Sequence, residues 1–174
     1  MKKKVAINGF GRIGRLVYRA FLERSNEFSD QYEIAYINDL ADIDTNIHLL
    51  KYDSIHGPLS KEINKISNEQ FSIEENKVTV TSERNPIDLK WSDKNVDIIL
   101  ECTGVFASKD KAMLHVESGA SKVIVSAPCS GADITVVQGV NNKNINLDHQ
   151  VISNASCTTN CLAPVAFVID QEFG

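Results

Sequence analysis

The stretch that decides the fold is VAINGFGRIGR, residues 5–15. Val5 to Asn8 reads as a buried strand. Arg12 to Glu23 carries helical spacing, with Ile13, Leu16, Val17, Ala20 and Phe21 expected on one face. Between them, Gly9-Phe10-Gly11-Arg12-Ile13-Gly14 matches G-x-G-x-x-G directly after a strand and at the opening of a helix. In that setting Gly9 permits the tight turn, Gly11 lets a pyrophosphate approach the backbone, and Gly14 lets the helix pack closely on the strand. The helix N-terminus then offers free N–H groups and its positive dipole end. A glycine-rich turn without a ligand is the competing reading, and the strand–loop–helix context weighs against it.

Working outward, Ile34 to Ile37 reads as a second buried strand. A helix is expected from Asp44, its cap, to Tyr52. The alternating segments Gln70 to Ile73 and Lys77 to Ser82 flank Glu74-Glu75-Asn76 and predict an antiparallel hairpin. Strand character returns at Val96–Leu100, Lys122–Ser126, Ile134–Val137 and Val151–Ser153, with helices from Ser108 to about Ser118 and from Cys157 to about Asp170. Apolar strands alternating with helices mean an α/β fold, a doubly wound, mostly parallel sheet with helices on both faces, the hairpin being an insertion or an edge. Such sheets bind ligands at the carboxyl ends of their strands. Asp39 stands there, 25 residues beyond Gly14, near the spacing at which a carboxylate grips a ribose hydroxyl. A 2′-phosphate beside that carboxylate would cost on the order of 1–4 kcal/mol, and Leu40 rather than arginine follows, so Asp39 points to NAD over NADP.

Composition agrees. The chain has 174 residues, 43% of them hydrophobic and 24% charged, enough for a core without disulfides or metal. A net charge of −5 disfavours a nucleic-acid or acidic-membrane partner. No apolar run is long enough to cross a bilayer, and VAINGFGRIGR stands where a signal peptide would need its apolar stretch. A soluble cytoplasmic protein is expected. The four cysteines, Cys102, Cys129, Cys157 and Cys161, show no metal-site spacing with His48, His56, His115 or His149. Three are expected to be small buried hydrophobes.

Cys157 is the exception. In SNASCTTNCLAPV, residues 153–165, a short strand runs into small polar residues and the cysteine falls where a helix should begin. Thr158, Thr159 and Asn160 suit a first turn, because their side chains satisfy orphan N–H groups. Unpaired amides and the dipole favour negative charge on sulfur there, and a thiolate attacks an aldehyde readily. Cys161, one turn later, is expected to face the interior. A buried structural cysteine is the alternative.

GFGRIGR, INDL, HLLKYDSIHG, ECTGVF, VIVSAP and SNASCTTNCLAPV occur here in the order in which they occur in the glyceraldehyde-3-phosphate dehydrogenase family, which this sequence resembles over essentially its whole length. The resemblance implies an NAD-binding Rossmann domain over residues 1–153, with residues 154–174 forming the nucleophile loop and first helix of a catalytic domain otherwise absent. It implies oxidation of D-glyceraldehyde 3-phosphate with inorganic phosphate to 1,3-bisphosphoglycerate, through a thioester on Cys157. Ser156 and Thr158 would contact substrate or phosphate. Gly9, Gly11, Arg12, Ile13 and Gly14 would take the pyrophosphate, Asp39 the ribose, and Arg84 would lie near the adenine. Thr103, Gly104 and Ser126 would line the same cleft. A homotetramer is implied for the full-length protein.

The sequence departs from the family in two places. Pro58-Leu59 replaces a basic and an aromatic residue after His56-Gly57, which should alter a surface loop. The histidine that activates the cysteine lies beyond Gly174 in the family, so this chain resembles a truncated cofactor domain, expected to be inactive alone. Leu162, Val165, Ala166, Val168 and Ile169 of its last helix would then lie exposed, or pair with another copy. Two other readings stay open: erythrose-4-phosphate dehydrogenase, which Asp39 and SAPCSGAD disfavour, and a non-catalytic NAD-binding module.

Overall fold

A computed structural model describes residues 2–174. The opening strand β1 (Lys3–Asn8) lies in the middle of a nine-stranded sheet. On one side it pairs in parallel with β2 (Tyr32–Asn38), and β2 pairs in parallel with β7 (Asn76–Thr81). The predicted hairpin takes the edge position of the two that the sequence allowed. β7 continues antiparallel into β6 (Gln70–Ile73) and β5 (Ile63–Lys65), which form one edge. On the other side β1 pairs with β8 (Ile98–Glu101), then follow β9 (Lys122–Val125), β11 (Val151–Ser153) and β10 (Ile134–Thr135), all parallel. A separate two-stranded ribbon, β3 (Tyr52–Asp53) and β4 (Gly57–Pro58), carries Pro58 on the surface. The strand order reverses at β1, where a doubly wound sheet opens a crevice at its carboxyl edge.

The pleat of β1 divides the core. Val5 and Ile7 join one apolar cluster and Ala6 the other, as alternation across a strand requires. The first cluster is covered by α1 (Arg12–Glu23) and α3 (Ile43–Lys51), followed in sequence by the short α2 (Ser25–Phe28) and the β3–β4 ribbon respectively. The second holds Trp91 of α4 (Trp91–Lys94) and Ala112 of α5 (Lys109–Glu117).

Three local expectations are corrected. The face that α1 buries is Gly14, Tyr18, Arg19 and Leu22; Ile13 is 47% exposed and Ala20 also faces out. Gly14 has no Cβ, so the helix approaches the sheet along the row i, i+4, i+8 that begins there, and Leu16, Val17 and Phe21 of the expected face are left half-buried at its margin. The cap of α3 is Asp42, whose side chain accepts from Thr45 N at 2.8 Å; Asp44 lies inside the first turn. Cys161 is exposed rather than interior, because α6 (Cys157–Phe173) buries none of its residues. Leu162, Val165, Ala166, Val168 and Ile169 are all exposed, as expected from the sequence.

Arg19 is buried without a carboxylate. Its guanidinium donates to Leu50 O at 3.0 and 2.8 Å, to Lys51 O at 3.1 Å and to Gly57 O at 3.0 Å. Leu50 and Lys51 close α3, so the cation sits at the negative end of that helix dipole and fills carbonyls the helix leaves open. Among the described residues, no helix is long and apolar enough to cross a membrane.

Candidate functional site: the carboxyl edge of the sheet

Gly9 follows β1 with φ +89°, a conformation that L side chains rarely adopt; a Cβ there would lie 2.7 Å from Thr103 N. The glycine loop and the loop after β8 are thus in backbone contact. Gly14 meets Gly9 O in the same way, at 2.2 Å from an added Cβ. Gly11, the N-cap of α1, has nothing within 4 Å of such a position. No side chain caps that helix end and its first turn holds no acid, so its amides face open space.

That space is a cleft of about 390 Å³. The expected residues Gly9, Gly11, Asp39, Arg84 and Thr103 line it, together with Asn8, Asn38 and Glu83, and with Leu40, Val105 and Phe106 as apolar wall. Asp39 begins the loop after β2. Its Oδ2 accepts from Phe10 N at 2.7 Å and its Oδ1 from Ala41 N at 2.9 Å. One carboxylate therefore ties the glycine loop to the second strand, with lone pairs left for a hydroxyl donor. The other expected cofactor residues lie outside the lining. Gly14 is packed under Gly9, while Arg12, Ile13 and Gly104 are exposed. The guanidinium of Arg12 lies 3.6 Å from Asp53, leaving its backbone N–H as the group directed by the helix start. Ser126 donates its N–H to Glu101 O at 3.0 Å, beside Cys102.

Sequence reasoning missed the apolar wall. Leu40 and Val105 are large, 53% and 62% exposed, and sit just after strand ends. An apolar residue in such a loop was the available signal.

The nucleophile candidate is built separately. Ala155 is buried with φ +59°, and Asn160 Nδ2 clamps the turn by donating to Asn154 O at 2.7 Å and Ser156 O at 3.0 Å. Ser156 caps α6: its Oγ accepts from Thr159 N at 3.0 Å and lies 2.9 and 2.7 Å from the Thr158 and Thr159 hydroxyls. Cys157 is the first helical residue and is exposed. Beside it, Ala107, Cys129, Ser130, Ala155, Ser156 and Thr159 help to line a second cleft of about 420 Å³. Segment 103–107 borders both clefts, with Thr103, Val105 and Phe106 in the first and Ala107 in the second.

A family model described as the NAD-binding domain of glyceraldehyde 3-phosphate dehydrogenase matches residues 3–109, which carry the glycine loop, Asp39, Arg84 and Thr103. The chain belongs to the glyceraldehyde-3-phosphate dehydrogenase family. It is 49% identical over all 174 residues to glyceraldehyde-3-phosphate dehydrogenase of Xanthobacter flavus, covering 51% of that protein, and 47% identical to the Pseudomonas aeruginosa enzyme, again covering 51%. Over 172 residues it is 50% identical to the Mycoplasma pneumoniae enzyme, covering 49%. The chain spans about half the length of these curated relatives. Its cofactor is NAD.

The cleft fits that cofactor on its own terms: an open glycine, an uncapped helix start, a carboxylate at the second strand and apolar walls for flat rings. Calorimetry is expected to give tighter binding of NAD than of NADP. Asp39→Gly should weaken NAD roughly tenfold or more, since a charge-assisted hydrogen bond is lost, and should narrow the gap between the cofactors. Part of the loss would come from freeing Phe10 N–H, which Asp39 now holds. Equal affinities in the unsubstituted chain would remove Asp39 from its role.

Proposed function

We propose that this chain supplies the cofactor cleft and the nucleophile of an NAD-dependent, phosphorylating dehydrogenase of D-glyceraldehyde 3-phosphate. The observation that carries the reading is an exposed cysteine on the first turn of a helix, joined by one short segment to a cleft suited to NAD. Gly9 and Gly11 admit the pyrophosphate to the helix start, Arg12, Ile13 and Gly14 bring the first-turn amides to it, and Asp39 accepts from the ribose. Arg84 borders the adenine end, Thr103 lines the same cleft, and Gly104 and Ser126 flank that lining. When bound, NAD accepts the hydride.

The Cys157 sulfur adds to the aldehyde carbon, and the amides at the start of α6 stabilise the oxyanion that forms. Once the carbon is oxidised, Cys157 holds the acyl group as a thioester. The hydroxyls of Ser156 and Thr158 orient inorganic phosphate, whose oxygen attacks the acyl carbon. The C–S bond breaks, the electron pair returns to sulfur, and 1,3-bisphosphoglycerate leaves. Among the described residues no histidine is hydrogen-bonded to Cys157. A base from elsewhere in the protein completes the reaction, and residues 154–174 belong with that catalytic part. The relatives' names support both the substrate and the activity of the full-length protein.

Limiting alkylation read by mass spectrometry tests the nucleophile. Burial pushes the Cys102 thiol up to about 11 and raises that of Cys129, so both are protonated at neutral pH and should react slowly. Cys161 is the sharper control, being exposed on the same helix but one turn from its start. Cys157 is expected to be labelled first, while the chain alone forms no more than a trace of NADH with the aldehyde and phosphate. Labelling of Cys161 at the same rate would mean that exposure, not the helix start, governs the thiol.

A further inference from the structure

Under the cofactor cleft runs a row of buried polar side chains whose hydrogen bonds have a direction. At one end the backbone of Glu83 donates its N–H to Asn38 Oδ1 at 2.8 Å, and its C=O accepts from Asn38 Nδ2 at 2.8 Å. Neither backbone group can reverse, so the Asn38 amide is oriented, and its Nδ2 donates to Asn8 Oδ1 at 2.8 Å. That orients Asn8, whose Nδ2 donates to Glu101 Oε2 at 2.6 Å. At the other end Trp91 Nε1–H, which can only donate, lies 3.1 Å from His115 Nδ1. Nδ1 must accept, so the proton of the neutral ring sits on Nε2, which donates to Glu101 Oε2 at 3.1 Å. Glu101 Oε1 accepts from the Thr103 N–H at 2.8 Å and from the Thr103 hydroxyl.

Two chains of donors with fixed ends thus converge on one side chain, which has to accept from every direction. An ionised carboxylate does so; neither an amide nor a protonated acid can. Asn8, Asn38, Glu101 and His115 are all buried, so no solvent relieves a mismatch. Glu101 does not itself line the cleft, but Asn8 and Thr103 do. The Thr103 hydroxyl that donates to Glu101 also accepts from Val105 N at 3.0 Å, so the turn along the cleft wall hangs on that carboxylate.

We propose that Glu101 is the positioning residue of the cofactor cleft: its carboxylate sets the Thr103–Val105 turn and the Asn8 amide, and His115 and Trp91 hold it in place. The proposal rests on the reading that NAD occupies this cleft.

Glu101→Gln tests it with almost no change of shape. In either orientation the new NH₂ meets a donor, Thr103 N–H on one side or Asn8 and His115 on the other, and the Glu83 backbone blocks a compensating flip of the asparagines. On chain shown to be folded by circular dichroism, the NAD dissociation constant is expected to rise about tenfold or more, as for loss of one charge-assisted bond. Hydrogen exchange should quicken at Thr103 and Val105 while β6 and β7 keep their rates. Trp91→Phe removes the fixed donor and lets His115 change tautomer, so in that background Glu101→Gln should cost less, the remainder coming from Asn8 Nδ2, which stays a donor. Glu101→Asp, which keeps the charge, should lose less than Glu101→Gln and provides the same comparison if the amide variant does not fold. If the unsubstituted chain binds no NAD, the reading of the cleft fails and the proposal with it. If it binds NAD and the folded Glu101→Gln variant binds equally well, or exchanges normally at Thr103, or costs the same with Phe at 91, the proposal alone is overturned.

Discussion

Gly14→Ala is expected to lower the stability of the chain by about 1–2 kcal/mol and to abolish measurable NAD binding. The added Cβ would stand 2.2 Å from Gly9 O and 3.1 Å from Ile7 Cγ2. The nearer obstacle is backbone, so no side chain can swing aside, and α1 must move off the sheet by on the order of 1 Å. Overpacking of this kind costs roughly 1–3 kcal/mol and occasionally more, while alanine returns up to about 1 kcal/mol through its better helix propensity. For a chain of this size a balance of about 1–2 kcal/mol is a fall in melting temperature of roughly 2–8 °C. Binding suffers more than stability because the displaced element is the one whose amides face the cleft. Gly11→Ala provides the contrast: its Cβ meets nothing within 4 Å, so stability should hold while the methyl group obstructs the cleft. Equal stability of Gly14→Ala and the unsubstituted chain would mean that the contact is softer than the geometry requires.

The second large effect is expected at Arg19. Arg19→Leu keeps an apolar stem but removes the guanidinium donors from Leu50 O, Lys51 O and Gly57 O, of which Lys51 O keeps Leu59 N–H at 2.8 Å. Buried carbonyls left without partners cost about 1–3 kcal/mol each where water cannot reach them. The loss is partly offset because no buried cation then has to be solvated by dipoles alone. A net destabilisation of about 3 kcal/mol is expected from urea unfolding with an unchanged slope. Arg19→Lys should recover only part of it, since an ammonium cannot reproduce the planar fork that spans three carbonyls. Stability of Arg19→Leu equal to that of the parent would show that the α3 terminus finds other partners.

These two residues also mark what the sequence discloses. The glycine loop is legible because it is a demand of the backbone: a strand, a tight turn and a close helix need glycine at fixed spacings, and Gly9 and Gly14 meet those demands. Asp39 is legible for the same reason, as it stands at the strand end where the crevice opens. The buried face of α1 was misread because counting aliphatic residues gives no weight to a glycine, although the missing side chain decides which row approaches the sheet. Cys161 was misplaced by treating helix periodicity as burial, when α6 has no packed face among the described residues. The polar floor could not be read at all. Asn8, Asn38, Glu101, His115 and Trp91 come from five separate elements, and only the sheet order brings them together.

The position of β1 bears on how the chain comes to be folded. The first strand made is the central one, and its two neighbours are residues 32–38 and 98–101, with Val5 paired to Ile98. During synthesis at about 5–20 residues per second, roughly 5–20 s pass between the emergence of the two partners in that pairing. Throughout that interval one edge of β1 stays open, and Ile7 lacks the wall that completes its burial. Parallel pairings across so long a loop form slowly, on the scale of milliseconds to seconds once the segments are available. The glycine loop therefore acquires its shape only after the loop following β8 arrives to support it, and the cofactor cleft cannot close before that second segment has been made.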